Sequence, residues 1–200
     1  MEIEMFRFWV GLIVSIIWIV YVLPPRLPAS RDILYSEDNQ MPFITHHLKG
    51  FWKYIPIVIV TIPHFISLYL EYSLTIPSTF LTSQEIVGLG LFTAGIVLHG
   101  SCRYYLGKFY IFSFSIIKGQ KVISAGPYGA VRHPGYLSNL FVVLGAVVFL
   151  NFWWYSIIMI LPFLLIGAIT KEEKMMQKFF KGEWDQYCQS VKFKLIPYLY

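Results

Sequence analysis

The chain has 200 residues, 56% of them hydrophobic and only 14% charged, with a formal net charge of +5. That is room for one compact unit but too apolar for an ordinary water-soluble domain, so lipid is the expected solvent for most of the surface. The positive balance is accounted for by loop topology and attraction to anionic headgroups, which leaves nucleic-acid binding without a role.

A bilayer core requires roughly 20 apolar residues per spanning helix, and residues 6–23, 51–70 and 85–105 each come close. A fourth apolar stretch, 137–169, is too long for one span. It is interrupted at Asn151, ahead of Phe152, Trp153, Trp154 and Tyr155, a cluster suited to the aromatic belt at a membrane interface. The stretch therefore reads as a tight helical hairpin of two short or tilted spans. Glu2 and Glu4, with Pro24, Pro25 and Pro28 in place of a small-residue cleavage site, make the first span a retained helix rather than a signal peptide.

Short basic loops stay on the cytoplasmic side. Arg26, Arg31, Lys49 and Lys53 flank the first loop, and Arg103, Lys108, Lys118, Lys121 and Arg132 flank the third. Lys171, Lys174, Lys178, Lys181, Lys192 and Lys194 lie in the tail, whereas residues 72–84 and the turn at Asn151 hold no Lys or Arg. The expectation is an all-α polytopic membrane protein of five transmembrane helices with the N-terminus outside and the C-terminus cytoplasmic. Its membrane would be the plasma membrane of a prokaryote or the endoplasmic reticulum of a eukaryote. Cys102 and Cys188 fall near the reducing face, which disfavours a structural disulfide, and neither has metal-ligand spacing.

A transporter would place ionisable residues inside its spans, and these spans hold little beyond His64 and His99. His99, in a span with Gly88, Gly90, Gly95 and Gly100, reads as a helix-packing hydrogen-bonder rather than a ligand. Polar chemistry concentrates instead in the third loop and the tail. Pro134 suits the first turn of a helix, which puts Arg132 and His133 just before free helix amides. Such a site favours a carboxylate or phosphate, although the same two residues would also serve as interfacial anchors.

Lys171-Glu-Glu-Lys174 opens the tail, followed by Met175, Met176, Phe179, Phe180, Tyr187 and Val191 at helical spacing. That pattern predicts a C-terminal amphipathic helix against the membrane. Glu172 and Glu173 either pair with Lys171, Lys174 or Lys178 along the helix or meet a cationic ligand that relieves their desolvation. An anion site before the fourth span and an acidic pair after the fifth would together accept a zwitterion such as an amino-acid head.

Gly126-Pro-Tyr-Gly-Ala-Val-Arg-His-Pro-Gly-Tyr136, the hairpin, Lys171-Glu-Glu and Phe179-Phe-Lys-Gly-Glu-Trp-Asp-Gln-Tyr187 with Ile196-Pro197 resemble the isoprenylcysteine carboxyl methyltransferase family and the related phospholipid methyltransferases. The resemblance covers about the C-terminal half. Together with the spans read from hydropathy and loop charge, it divides the chain into three N-terminal transmembrane helices with a cytoplasmic first loop over 1–105 and a methyltransferase region over 106–200. The cofactor implied is S-adenosyl-L-methionine, held by Gln120, Lys121, Val122, Ile123, Tyr128, His133, Pro134, Gly135, Tyr136 and Glu172. Gln120 stands where the family often has His. His133 and the helix N-terminus would take the methionine carboxylate, Glu172 its ammonium, and the backbone around Val122 and Ile123 the adenine.

Tyr136 and Arg132 are the residues the resemblance puts at the catalytic end, with Tyr136 near the methyl group or the polar head. The acceptor implied is amphiphilic, a prenylcysteine-type carboxylate or a lipid, arriving from the bilayer. The family's Arg about one turn before the acidic pair is here Ala168, so methyl transfer is implied more strongly than a prenylcysteine carboxylate as its acceptor; Arg103 and Lys108 are the nearest candidates to replace that charge. Two other readings compete. One is a nicotinamide-dependent membrane sterol or lipid reductase, a class with a similar Arg-His-x-x-Tyr hairpin, from which Gly135-Tyr-Leu-Ser-Asn139 departs. The other is a non-enzymatic lipid-binding membrane protein.

Overall fold

The computed structural model describes Ile16 and residues 33–36, 81–110, 115–150 and 161–197. Apart from Ile16, the two expected N-terminal spans lie outside the described residues, as do residues 72–80 of the second loop and the turn at Asn151. The described residues are mostly helical, with two short strands that the all-α expectation did not contain.

Helix α1 spans Ser83–Leu106. It starts where Thr82 Oγ1 accepts from the Glu85 amide at 3.2 Å and the Glu85 carboxylate accepts from the Thr82 amide, a reciprocal cap that satisfies two otherwise orphaned donors. It ends at Gly107, whose φ of 51° lies where a side chain is disfavoured. With the single 3-10 turn that follows, Ser83–Phe109 is the one helix among the described residues long and apolar enough to cross a membrane, by length and composition. Ile86, Val87, Val97 and Tyr104 point outward from it, more than half exposed.

Helix α2, Pro134–Leu150, begins at the proline expected there and crosses α1 closely. A Cβ on Gly145 would strike the Phe92 amide nitrogen, and one on Gly88 would strike that of Phe149. Glycine at both places lets the two backbones touch. Around the crossing, Phe92 and Val142 are buried with Leu89, Ile96 and Ala146 packed on them.

Helix α3, Leu161–Ser190, carries the end of the expected fifth span straight into the tail, with one break at Lys181 (φ 31°, ψ −108°). The expected amphipathic helix is thus the second part of α3. Part of its apolar face meets the chain's own loop: Trp184, Tyr187 and Val191 are buried, with Val122 of the loop and Met176, Phe180 and Cys188 of α3 against them.

Strands β1, Ile33–Ser36, and β2, Ser115–Ile117, pair antiparallel with a register irregularity between Ile33 and Tyr35. Tyr35 of β1 packs on Phe179 of α3 with ring centroids 4.9 Å apart. A two-stranded ribbon is marginal alone; here β2 is buried along its length.

Candidate active site

Four pieces of chain meet at one end of the α1/α2 pair: the last turn of α1, the loop 118–133, the first turn of α2 and the middle of α3. The 3-10 turn Gly126–Gly129 is shaped by its first residue. Gly126 has φ 59°, and a Cβ there would strike the Tyr105 ring, so both conformation and space demand glycine.

The C-terminal segment folds back and clamps the motif. The amides of Arg132 and His133 donate to the carbonyls of Phe193 and Lys194, each at 2.9 Å, and the Tyr187 hydroxyl donates to the Tyr128 carbonyl at 2.7 Å. Arg132 Nη1 reaches the carbonyls of Val191 and Lys192 at 2.9 and 3.1 Å. Arg132 therefore ties the motif to the tail from both its backbone and its side chain.

At the centre lies Glu173. Arg132 Nε is 2.9 Å, His133 Nε2 3.3 Å and Lys194 Nζ 3.0 Å from its carboxylate. Burial disfavours its charge, but hydrogen bonds from His133 and Lys194 and the charge of Arg132 outweigh that and hold the carboxyl at about 2, below its usual 4.5. His133, 4% exposed, has a carboxylate at each ring nitrogen, with Glu172 Oε2 3.6 Å from Nδ1. Burial opposes protonation of this imidazole, yet its bonds to Glu172 and Glu173 prevail and raise its pKa above the usual 6.5. Arg132 and Lys194 match the two carboxylates in charge, and both carboxylates favour the protonated form of His133.

The two acidic neighbours differ in reach. Glu173 is 17% exposed and enclosed by its partners, whereas Glu172 is 36% exposed. Glu172 stands beside the Tyr136 hydroxyl, which hydrogen-bonds it, and near that of Tyr128. Tyr128 in turn hydrogen-bonds the Cys102 thiol at the end of α1. A carboxylate rimmed by phenols and partly open is suited to a small organic cation.

The structure thus brings Tyr128, Arg132, His133, Tyr136 and Glu172 together. Pro134 is fully buried at the start of α2, and the Gly135 carbonyl accepts from Ser138. Val122 packs on the Trp184 cluster, Ile123 is half-buried and Lys121 is exposed. The Gln120 side chain is engaged locally, its Oε1 accepting from the Ile117 amide at 3.0 Å to close the turn after β2. Arg132 and His133 meet carboxylates of the chain itself. Neither acidic residue's recorded ion pairs involve Lys171, Lys174 or Lys178.

Sequence reasoning took Glu173 only as one of an acidic pair, Lys194 only as a tail charge and Tyr187 only as an apolar-face and motif residue, and did not consider Tyr110. Adjacent residues on a helix point about 100° apart, so spacing alone could not say which of Glu172 and Glu173 turns inward. Lys194 and Tyr187 depend on the fold-back of the tail, for which no local pattern exists. Tyr110 follows directly on the end of α1 and meets His99, which the glycine-rich helix had marked as a packing residue.

Comparison with known proteins gives two relationships. A Delta(14)-sterol reductase of Mus musculus is 27% identical over 85 residues, covering 41% of this chain and 20% of that protein. The chain therefore spans about a fifth of the length of this curated relative. The phospholipid methyltransferase family matches residues 83–183, from the first turn of α1 through the loop and α2 to just beyond the Lys181 break, and so takes in Tyr128, Arg132, His133, Tyr136 and both carboxylates, while the clamping residues 187–194 lie beyond it. Half of the chain fits one family's pattern, and that half holds the motif and both carboxylates: the chain belongs to the phospholipid methyltransferase family.

Proposed function

We propose that this protein is a membrane methyltransferase that uses S-adenosyl-L-methionine to methylate an amphiphilic acceptor arriving from the bilayer. The observation that carries the reading is the half-open Glu172 carboxylate among Tyr128, Tyr136 and His133. These groups fit the cofactor's polar head. Glu172 would hold the ammonium. The positive charge of Arg132, His133 and Lys194 around Glu173 would favour the carboxylate, and residues 120–123 would border the nucleoside. When bound, the cofactor supplies a methyl group on a cationic sulfur.

The protein's own contribution is orientation and dryness. Arg132 locks the loop to the tail, and Trp184, Tyr187 and Val191 cover Val122, so the loop is held rigidly against the first turn of α2. Alignment of nucleophile and methyl in a water-poor site can supply much of the acceleration. No strong base is needed where the acceptor is already a carboxylate or thiolate. Ala168 leaves the chain without a charge at that position of α3, while Arg103, whose guanidinium lies 5.4 Å from the centre of the Tyr110 ring, would meet an acidic acceptor head.

The mouse sterol reductase relationship supports a second reading, reduction of a lipid by a nicotinamide cofactor. Membranes containing the protein, incubated with methyl-labelled S-adenosylmethionine and a panel of prenylcysteine, phospholipid and small thiol acceptors, should transfer label to one class. Absence of transfer to every class, together with substrate-dependent oxidation of NADPH by the same membranes, would replace the first reading with the second.

A further inference from the structure

Helix α3 carries its acids and its lysines on different sides of the same two turns. Successive residues of a helix are about 100° apart. Lys171, Lys174 and Lys178 therefore fall within an arc of about 60°, and Glu172 and Glu173 lie about 130° from the middle of that arc, one on either side. The contacts agree with this geometry. Glu173 is held by Arg132, His133 and Lys194, and Glu172 faces His133, while all three lysines are exposed. A carboxylate three or four positions away would screen such a lysine along the helix, and no residue at those positions is acidic. The two acids of this stretch are spent on the site, which leaves the opposite face with the charge of three ammonium groups.

The stripe has the depth of a headgroup layer. The lysines begin directly after the apolar run 161–169 and Thr170, and α3 passes from one to the other without a break. From Lys171 to Lys178 the axis advances about 10 Å, against roughly 5 to 8 Å of polar layer on each side of a bilayer's hydrocarbon, a difference that flexible lysine stems cover.

The margin of the stripe is apolar. Lys178 Nζ lies 4.9 Å from the centre of the Tyr35 ring and 5.7 Å from that of Phe179, and an ammonium above a ring keeps donors for an anion. Phe179 is 38% exposed, and Leu34, next to Tyr35 in β1, is 62% exposed. A hydrated polyanion gains nothing from such neighbours. A lipid surface offers phosphates to the lysines and apolar chains to the rings just below. We infer that the lysine face of α3 is a docking surface for the headgroups of anionic phospholipids, on the side of the helix away from Glu172 and Glu173. This goes beyond the proposed methyl transfer and rests only on the membrane reading within it.

The full chain in neutral detergent is titrated with phosphatidylglycerol or with phosphatidylcholine of the same acyl chains, and the lipid concentration that gives half of the rise in unfolding temperature is read. Wild type should need less phosphatidylglycerol than phosphatidylcholine. Lys171→Gln, Lys174→Gln and Lys178→Gln combined should raise the phosphatidylglycerol value by about fivefold for each lysine removed and leave the phosphatidylcholine value unchanged. Lys108→Gln, Lys118→Gln and Lys192→Gln combined, which remove the same charge from exposed positions elsewhere, should shift it far less. Inorganic phosphate at the same concentrations should reproduce none of the effect. Equal values for the two lipids in wild type, equal shifts in the two triple variants, or stabilisation by inorganic phosphate alone overturns the inference. So does an α3 triple variant that unfolds earlier than wild type before lipid is added, because the lysines would then serve the chain's own carboxylates. Wild-type protein that stays monodisperse without detergent or lipid overturns the membrane reading as well.

Discussion

Two contact regions hold the described helices together, and they obey opposite rules. Where α1 crosses α2, glycine meets backbone, and the specificity is steric: the surfaces match because atoms are missing at Gly88 and Gly145. Where the loop, α3 and the tail meet, Glu173 is surrounded by Arg132, His133 and Lys194, and the specificity is electrostatic. An added methyl breaks the first region and a removed charge breaks the second. The difference suits a membrane protein whose apolar helices gain little from the hydrophobic effect in lipid, while its polar site must hold charges in a fixed pattern. Substitutions that separate the two rules test this division.

The largest effect is expected from Gly145→Leu. Its Cβ alone would meet the Phe92 amide nitrogen and lie 2.7 Å from the Gly88 carbonyl, contacts that involve backbone and cannot be relieved by a rotamer change. Overpacking of this kind costs about 3 kcal/mol or more, so the variant should lose cooperative thermal unfolding in detergent. Gly90→Ala, with nothing within 4 Å of the new Cβ, should unfold no earlier than wild type. Equal stability of Gly145→Leu and wild type would mean that the helices do not cross this closely.

Next is Arg132→Met. It removes a charge-assisted bond to Glu173 between side chains 8% and 17% exposed while His133 and Lys194 remain, so the unfolding free energy measured in detergent should fall by about 1.5 to 3 kcal/mol. The same cluster sets a pH dependence. Glu173, depressed from 4.5 to about 2, contributes stability that is complete above about pH 4.5 and lost as pH falls toward 2. His133, raised above 6.5, contributes stability that is complete below pH 6.5 and lost as pH rises through its folded value. Thermal unfolding followed against pH should therefore show the cluster's contribution greatest between about 4.5 and 6.5. The acid arm should flatten in Glu173→Gln and the alkaline arm in His133→Gln.

The steric region was partly legible in the sequence and the electrostatic one less so. Gly88 and Gly95 stood out in an apolar run, though no more than Gly90 and Gly100, whose added Cβ would meet nothing, and Pro134 marked the start of α2 because proline acts through its own backbone within a turn. The Arg-His-Pro-Gly-Tyr motif marked where polar chemistry gathers. What the motif could not reveal is that Arg132 and His133 meet the acidic pair directly. That contact joins residues about 40 positions apart, and the tail residues 191–194 that clamp the motif lie about 60 away, separations for which helical periodicity has no signal. The strands were missed because 33–36 and 115–117 are too short to show alternation and lie far apart in the chain.

A third substitution separates the open carboxylate from the enclosed one. Glu172→Gln keeps shape and removes the charge. If Glu172 holds the cofactor's ammonium, loss of that charge-assisted bond should weaken S-adenosylhomocysteine binding by about 1.5 to 3 kcal/mol, roughly tenfold to hundredfold, with thermal stability little changed. A helix-surface ion pair would contribute only about 0.2 to 0.5 kcal/mol. Calorimetric titration decides between them. Equal dissociation constants in wild type and variant would show that the open carboxylate does not hold the ligand's head.

The smallest effect is expected at Gln120, where two roles diverge. Its Oε1 accepts from the Ile117 amide while its own amide donates to the Ile117 carbonyl, both at 3.0 Å, so side chain and backbone together close the turn that aims residues 121–123 at the site. Ile117 is buried, and an orphaned amide there should cost about 1 kcal/mol. Gln120→Ala should therefore lower the unfolding temperature slightly, and Gln120→Glu, which keeps an acceptor oxygen, should restore it. Cofactor binding distinguishes the roles, because a turn-closing side chain touches no ligand. S-adenosylhomocysteine affinity should be alike in wild type and Gln120→Glu despite the new negative charge. If Gln120→Glu instead kept its stability but bound the ligand tenfold more weakly, the side chain would have to leave the turn and face the cofactor when the site fills.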